Sequence, residues 1–192
     1  MPARARLDVD ERRRQLVALG LELFSSRAYD EVSIDELAAA AGISKGLLYH
    51  YFPTKRDFYV ATVRAAAAQL VERTSTPSTG DPLERLRKGL DEYLDYVMEH
   101  EKPYSALLRS GVGADEEVAR IVDETRDALC ARLVEGVPLE AQGPLVRIAL
   151  RGWLGFVEAS TLDWLDAKRK VKREKLRDLL ANVLLKAIES AV

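Results

Sequence analysis

The stretch SIDELAAAAGISKGLLYHYFPTKRDF, residues Ser33–Phe58, predicts two short helices joined by a turn and followed by the start of a third helix. Ser33 is expected to cap the first helix, and Glu36, three residues later, completes the pattern of a capping box. Gly42 provides the backbone freedom that a tight turn between two helices requires. The small residues before Gly42 allow the two helices to cross closely.

The second helix of this stretch is predicted over Lys45–Tyr51, with Ser44 as its cap, and Thr54 is the predicted cap of the third helix. Leu48 and Phe52 are four residues apart, so both can face a core on the same side of the helix. Two short helices around such a turn form a helix-turn-helix motif, whose second helix enters the major groove of DNA.

The chemistry of the second helix supports this interpretation. The 20 residues from Leu37 to Arg56 include no acidic side chain. An aromatic-rich core helix is the alternative, but Tyr49, His50 and Tyr51 are consecutive and cannot all face one core. The residues predicted to meet bases are Lys45, Gly46 and Leu47, and those predicted mainly to hold phosphates are Ser33, Ser44, Tyr49, His50, Tyr51, Thr54 and Lys55.

The segment from about Arg12 to Thr62 resembles the DNA-binding domain of the TetR (tetracycline-repressor-like) family of transcriptional regulators. The matching residues are Leu23-Phe24, Tyr29, Val32-Ser33, Leu37-Ala38, Ala41-Gly42-Ile43-Ser44, Lys45-Gly46, Leu48-Tyr49, Tyr51-Phe52 and Lys55. The resemblance implies an all-helical homodimer whose DNA binding is controlled by a ligand and which is usually a repressor. Leu47 is a departure, because many relatives have a small polar residue at this position.

The whole chain is consistent with an all-α protein. It has 192 residues, 47% of them hydrophobic and 31% charged, with a net charge of −2. Residues 1–60 contain nine basic and nine acidic side chains, so a local basic surface rather than a basic domain would meet DNA. We predict an N-terminal three-helix DNA-binding domain over residues 1–54 and a helical effector-binding and dimerisation domain over residues 55–192.

The apolar periodicity and the turn residues predict about nine helices. Outside the helix-turn-helix, the predicted ranges are about 9–27, 55–74, 103–110, 115–135, 144–167 and 172–190, and a further helix is predicted from residue 82 through at least residue 97.

The last two predicted helices have more apolar residues than one buried face requires. Trp153, Phe156 and Val157 in the eighth helix and Leu179 and Leu185 in the ninth illustrate this excess. One face would pack on the core and the other on a second subunit, giving a four-helix bundle about a two-fold axis. The alternative is that both helices are simply central in one subunit.

A small-molecule effector is expected among the fifth to eighth helices, where large apolar side chains alternate with polar tips. The candidate lining residues are Tyr93, Tyr96, Val97, His100, Tyr104, Leu107, Leu108, Trp153, Phe156 and Val157. The same residues equally describe a closed helical core. Arg147, Arg151 and Glu158 are compatible with a buried polar anchor, but a solvated, salt-bridged face is the preferred interpretation.

The remaining features argue against other classes of protein. The two histidines, His50 and His100, fall in different predicted domains, and Cys130 is the only cysteine, so we expect no enzyme, no metal site and no cofactor. No apolar stretch approaches 20 residues and the N-terminus lacks an apolar signal core, which predicts a cytoplasmic protein without a membrane partner.

The sequence therefore predicts a ligand-responsive repressor that an effector releases from an inverted-repeat operator in double-stranded DNA. A transcriptional activator of the same fold, and a helical ligand-binding dimer without a role on DNA, remain as alternatives.

Overall fold

The computed structural model describes residues 9–24, 27, 29–76, 79–111, 115–139 and 142–192, and the secondary structure within them is helical. The α-helices are α1 (Val9–Phe24), α2 (Ile34–Ala40), α3 (Lys45–Tyr51), α4 (Lys55–Arg73), α5 (Pro82–Glu99), α6 (Glu101–Ala106), α7 (Glu116–Glu135), α8 (Pro144–Asp166) and α9 (Arg173–Glu189). A 3₁₀ helix covers Tyr29–Glu31 and a π-helix covers Leu107–Gly111. The predicted all-α class is confirmed.

Most predicted helix boundaries agree with the structure to within one or two residues, and two differ by more. α1 ends at Phe24 rather than near Arg27, and residues 25–26 lie outside the described part of the chain. α6 begins at Glu101, ahead of Pro103, and ends at Ala106 rather than near Ser110, where the π-helix takes over. Proline is tolerated there because the first four N–H groups of a helix have no partner within the helix. The predicted turn over residues 111–114 falls mostly on residues that are not described.

The chain forms two compact units, Met1–Ala66 and Ala67–Val192, and the division falls inside α4. The predicted end of the DNA-binding domain at residue 54 is a statement about function. The two compact units do not test it, so it stays a prediction.

The core of the first unit is apolar, and α1, α2, α3 and α4 all contribute to it. Its buried members are Leu16, Phe24, Val32, Ile34, Leu37, Ala38, Leu48, Phe52 and Phe58. The Phe52 and Phe58 rings meet edge to face with their centroids 5.0 Å apart. Burying a side chain of this size contributes about 1.5–3 kcal/mol. Helices of seven residues such as α2 and α3 are too short to be stable alone, so this packing holds them.

The turn between α2 and α3 has the geometry that the sequence predicts. Gly42 lies in the left-handed region at φ +63°, which a residue with a side chain adopts only at a cost. The N–H of Ile43 donates to the carbonyl of Ala38 at 3.0 Å, and the N–H of Gly42 donates to Ala39 at 3.0 Å. These bonds satisfy carbonyls that the end of α2 would otherwise leave unpaired.

The second unit is built around α8 and α9, which pack on each other, while α5 packs on α9 and α7 packs on α8. Leu94, Val97, Leu150 and Leu180 are completely buried in this core. The indole N–H of Trp153 donates to the carbonyl of Leu180 at 2.8 Å, so this large ring is buried without an unpaired donor.

Apolar side chains on the opposite face of the last two helices are exposed, which confirms that these helices are apolar on more than one side. Leu145, Ile148 and Phe156 of α8 and Leu179 and Leu185 of α9 are all exposed, and we call these five residues the apolar stripe. A Cβ atom added to Gly152 or Gly155, which are also exposed, would meet no atom within 4 Å.

Gly20 marks a close approach between α1 and α4 in the first unit. A Cβ atom at this position would lie 2.5 Å from Thr62 Oγ1 and 2.8 Å from Phe58 Cζ. We expect Gly20→Ala to lower the free energy of unfolding by about 1–3 kcal/mol, because overpacking outweighs the gain in helix propensity. Chemical denaturation of the purified variant measures this change.

Gly46→Ala is the matched control, because a Cβ atom at Gly46 meets no atom within 4 Å. It should leave the free energy of unfolding unchanged or raise it by up to about 1 kcal/mol. A Gly20→Ala variant as stable as the parent would show that α1 and α4 are not in such close contact.

Candidate nucleic-acid interface and helical core

The α3 helix has one buried side and one exposed side, as the spacing of its apolar residues predicts. Leu48 is buried against the core of the first unit, and Phe52 follows it there. Lys45, Gly46 and Leu47 are exposed. A Cβ atom added to Gly46 would meet no other atom within 4 Å. The backbone at Gly46 can therefore approach another surface closely.

The aromatic residues of α3 divide between the two sides. Tyr49 and His50 are exposed, whereas Tyr51 is half-buried and packs on the core. The His50 and Tyr51 rings meet edge to face with their centroids 5.5 Å apart. All three have polar tips that can donate a hydrogen bond to a phosphate oxygen.

Ser33 and Ser44 cap α2 and α3, as predicted. The Ser33 Oγ accepts from the N–H of Glu36 at 3.1 Å, the N–H of Ser33 donates to the Glu36 carboxylate at 2.8 Å, and the Ser44 Oγ accepts from the N–H of Leu47 at 3.1 Å. In both serines this bond uses the oxygen as an acceptor. The hydroxyl hydrogen of Ser44 can therefore still be donated to a phosphate, whereas that of Ser33 already interacts with the Glu36 carboxylate.

The capping carboxylate of Glu36 is strongly stabilised in its charged form. The bond from the Ser33 backbone N–H, with further bonds from the Arg27 and Ser33 side chains, lowers the pKa of Glu36 to about 2. Arg27 reaches this carboxylate at 3.1 Å from nine residues earlier in the chain, a contact that the sequence pattern did not reveal.

Thr54 differs from the two serines because its hydroxyl hydrogen already has an acceptor. Its Oγ1 donates to Asp57 Oδ2 at 2.8 Å and accepts from the N–H of Asp57 at 3.0 Å. The predicted cap is therefore confirmed. A bond from the Thr54 hydroxyl to a phosphate would first have to replace the bond to Asp57.

The two lysines of the predicted interface both have partners within the first unit. Lys45 Nζ lies 3.0 Å from the Asp35 carboxylate, and this hydrogen bond raises the pKa of Lys45. Lys55 Nζ lies 4.0 Å from the centroid of the Tyr29 ring, a cation–π contact. Sequence reasoning missed Asp35 as a partner of Lys45, because a separation of ten residues across a turn follows no helical period.

The predicted effector-site residues of the second unit fall into three groups. Tyr93, Tyr96, Val97, Trp153 and Val157 are buried, His100, Tyr104, Leu107 and Leu108 are half-buried, and Phe156 is exposed. Phe156 belongs to the apolar stripe and therefore does not join the others in the core.

Two pairs of aromatic residues in this set contact each other. Tyr96 stacks on His100 with the ring centroids 4.3 Å apart, and the guanidinium of Arg73 lies 5.6 Å from the Tyr96 ring. The hydroxyls of Tyr93 and Tyr104 are hydrogen-bonded to each other. Burial raises the pKa of both Tyr93 and Tyr96 to about 12, so both hydroxyls are protonated at neutral pH.

The charged residues of α8 do not form one anchor. Arg147 is exposed, and Arg151 pairs at the surface with Asp123 and Asp127 of α7. Glu158 instead makes a bidentate pair with Arg126, at 2.9 Å to Nε and 2.7 Å to the terminal nitrogen.

In the described part of the chain, His, Cys, Asp and Glu side chains do not assemble into a group of three or more that could hold a metal ion. Cys130 is half-buried in α7, and this burial raises the pKa of its thiol. Among the described helices, none has both the length and the apolar character needed to cross a bilayer.

Two family models match this chain, one in each compact unit. The family model described as "Bacterial regulatory proteins, tetR family" matches residues 16–62, and the model described as "Tetracyclin repressor-like, C-terminal domain" matches residues 82–186. A solved tetR-family transcriptional regulator from Streptomyces coelicolor is 35% identical, with a TM-score of 0.86, over 96% of this chain and 83% of that protein.

Two characterised relatives act in opposite directions. The HTH-type transcriptional activator FasR of Mycolicibacterium smegmatis is 26% identical over 173 residues, 88% of this chain and 79% of that protein. The HTH-type transcriptional repressor KstR of Rhodococcus jostii is 28% identical over 153 residues, 78% of this chain and 72% of that protein. The relatives of this chain therefore include both an activator and a repressor.

Proposed function

Because this chain belongs to the TetR family of transcriptional regulators, we propose that it is a homodimeric, effector-controlled repressor that binds an inverted-repeat operator through α3. The exposed side of α3 is the main support for the proposal. It presents hydrogen-bond donors to solvent, while the opposite side of the helix is packed in the core. The proposal includes a cytoplasmic location, because the protein would have to reach operator DNA. The FasR relationship keeps activation as the second candidate.

Base contacts are proposed for the start of α3 and phosphate contacts for its surroundings. Lys45 would exchange Asp35 for the acceptors of a guanine edge. The loss of the Asp35 pair costs little, because water screens an exposed ion pair. Gly46 lets the backbone approach the bases, and Leu47 suits the methyl group of a thymine. Ser33, Ser44, Tyr49, His50, Tyr51, Thr54 and Lys55 are the proposed phosphate contacts.

Dimerisation is proposed through the apolar stripe. A stripe that is exposed in one subunit but composed of Leu, Ile and Phe is typical of an interaction surface. Gly152 and Gly155 leave open space beside it, so that a second helix can approach closely. A two-fold axis through this surface would pair α8 and α9 with their copies and present two α3 helices about 34–36 Å apart, or a multiple of this distance.

Effector control is proposed to act through α4. Phe58, near the start of α4, is buried in the core of the first unit. At the other end, Arg73 pairs with Glu99 of α5, and Arg132 of α7 donates to the carbonyl of Val71. An effector that binds among α5–α8 and changes these contacts would move α4, and it would favour the state of the dimer to which it binds more tightly.

Selection of the purified protein on random duplex DNA tests the proposal as a whole. We expect sequencing of the bound pool to show an inverted repeat, and a reporter placed behind that repeat to be repressed in its native host. Activation of the reporter would support the second candidate instead. If folded, dimeric protein enriches no sequence, the proposed role on DNA is wrong.

The division between base and phosphate contacts predicts different behaviour for two lysine variants. Lys45→Ala should relax the preference at one operator position, with a loss of about 1–3 kcal/mol in discrimination. Lys55→Ala should weaken binding to all sequences and lower the slope of log affinity against log salt concentration by about one. Binding titrations over a range of salt concentrations, on the operator and on a scrambled duplex, measure both effects.

The two lysine variants serve as controls for each other, since each removes one positive charge near α3. An equal loss of affinity for operator and scrambled DNA in both variants would contradict the division of roles.

The proposed dimer surface predicts that Ile148→Glu produces monomers. A buried, unpaired carboxylate in the centre of an apolar interface is costly, so the dimer should dissociate while the helix content is retained. Analytical ultracentrifugation measures the mass, and operator binding should fall because a monomer reads only one half-site.

Leu139→Glu is the matched control, because Leu139 is 83% exposed and lies outside the apolar stripe, whereas Ile148 is 67% exposed within it. This variant should remain dimeric. Ile148→Glu protein that also remains dimeric would rule out the stripe as the interface.

A further inference from the structure

Three hydroxyl groups from three helices lie together in the core of the second unit. Tyr93 of α5 and Tyr104 of α6 are hydrogen-bonded through their hydroxyls, and their rings meet edge to face with the centroids 6.2 Å apart. Thr161 of α8 is completely buried, and its hydroxyl is near enough to lower the pKa of Tyr93. Leu90, Trp153 and Val157 belong to the same buried cluster as Tyr93, so the surroundings are apolar.

Each of the three hydroxyls has one hydrogen to donate, but the described residues show an acceptor for only one of these hydrogens. One bond joins the two tyrosines, which leaves one tyrosine hydrogen and the Thr161 hydrogen to be placed. Although Thr161 is close to Tyr93, the buried Oγ1 of Thr161 makes no hydrogen bond in the described part of the structure. If Thr161 donated to Tyr93 and Tyr93 to Tyr104, the hydrogen left over would be that of Tyr104, for which the described residues give no acceptor.

Other threonines show how easily this donor could have been satisfied. Thr62, Thr74 and Thr125 each donate to the carbonyl four residues earlier in their own helix, at 2.9, 2.9 and 2.6 Å respectively. A buried hydroxyl left without a partner lowers stability and calls for an explanation other than packing.

The neighbouring charges disfavour an anion at this place. Arg126 and Glu158 neutralise each other in a bidentate pair, and this pairing raises the pKa of Arg126 above its ordinary value. Burial keeps both tyrosines protonated, and the Glu158 carboxylate raises their pKa values further. The positive charge of Arg126 lowers the pKa of Tyr104 and so partly offsets the effect of Glu158 there. It does not contribute to the pKa of Tyr93.

We propose that Tyr93, Tyr104 and Thr161 bind the carbonyl oxygen of a neutral, otherwise apolar effector such as a ketone, ester or amide. The inference rests on the proposed function, because it gives the chemistry of the effector that would control DNA binding. A carbonyl oxygen accepts up to two hydrogen bonds and supplies the missing acceptor. A carboxylate would be buried without a cation that is free to pair with it.

Two probes with the same eight-carbon chain test the proposal, 2-decanone and nonanoate. They differ in presenting a neutral carbonyl or a carboxylate. Calorimetric titration of the dimer without DNA at pH 7 should show binding of 2-decanone and at least tenfold weaker binding of nonanoate. Equal or tighter binding of nonanoate would overturn the proposal.

Thr161→Val and Thr161→Ser separate a binding role from a structural one. Thr161→Val keeps the shape and removes the hydroxyl, so it should weaken 2-decanone binding about tenfold, whereas Thr161→Ser should bind within about threefold of the parent. Without a probe, Thr161→Val should raise the melting temperature by about 2–4 °C, because an unpaired buried hydroxyl is gone. Thr62→Val, which loses a satisfied hydroxyl, should not raise it.

Unchanged 2-decanone affinity in Thr161→Val would overturn the proposal, and so would a lower melting temperature in that variant. If Thr161→Val does not fold, Tyr104→Phe must show the tenfold loss. Operator binding is measured in parallel. Protein that binds its operator but not 2-decanone would refute the carbonyl site alone, whereas protein that selects no operator would refute the proposed function whatever the probes do.

Discussion

The burial of Leu48 and Phe52 is the constraint on which the DNA-binding unit depends. The α3 helix has only seven residues, too few to be stable in isolation, so its orientation is set by the side that enters the core. Once these two residues are buried, Gly46 faces away from the core, and Lys45 and Tyr49 are exposed on either side of it. The same packing explains why Gly20 has no side chain, since α1 must come close enough to α4 to enclose this core.

Local features could be predicted from the sequence because they involve residues a few positions apart. The capping serines, the left-handed Gly42 and the limits of α3 all follow from neighbours within about five residues. The pairs Lys45–Asp35 and Arg126–Glu158 could not be predicted, since they depend on how separate helices pack. The sequence pattern does not separate Phe156 from Val157, because α8 is apolar on both sides and only packing decides which side faces the core.

The second unit combines strong burial with polar groups that stability alone does not require. Trp153 has its indole N–H satisfied by a carbonyl, as is usual for a buried ring. Thr161 does not follow this rule, although a helix always offers a carbonyl four residues earlier. Where a fold leaves a buried group unsatisfied while satisfying comparable groups elsewhere, function is a more economical explanation than poor packing.

The solitary Cys130 makes this protein convenient for spectroscopy. Its half-buried thiol has a raised pKa, so little thiolate is present at neutral pH and alkylating reagents react with it slowly. A cysteine introduced at an exposed site could therefore be labelled selectively without first removing the native one. In a symmetric dimer a single introduced label appears twice, so a pair of spin or fluorescent labels could report the separation of the two DNA-reading helices directly, with and without a bound small molecule.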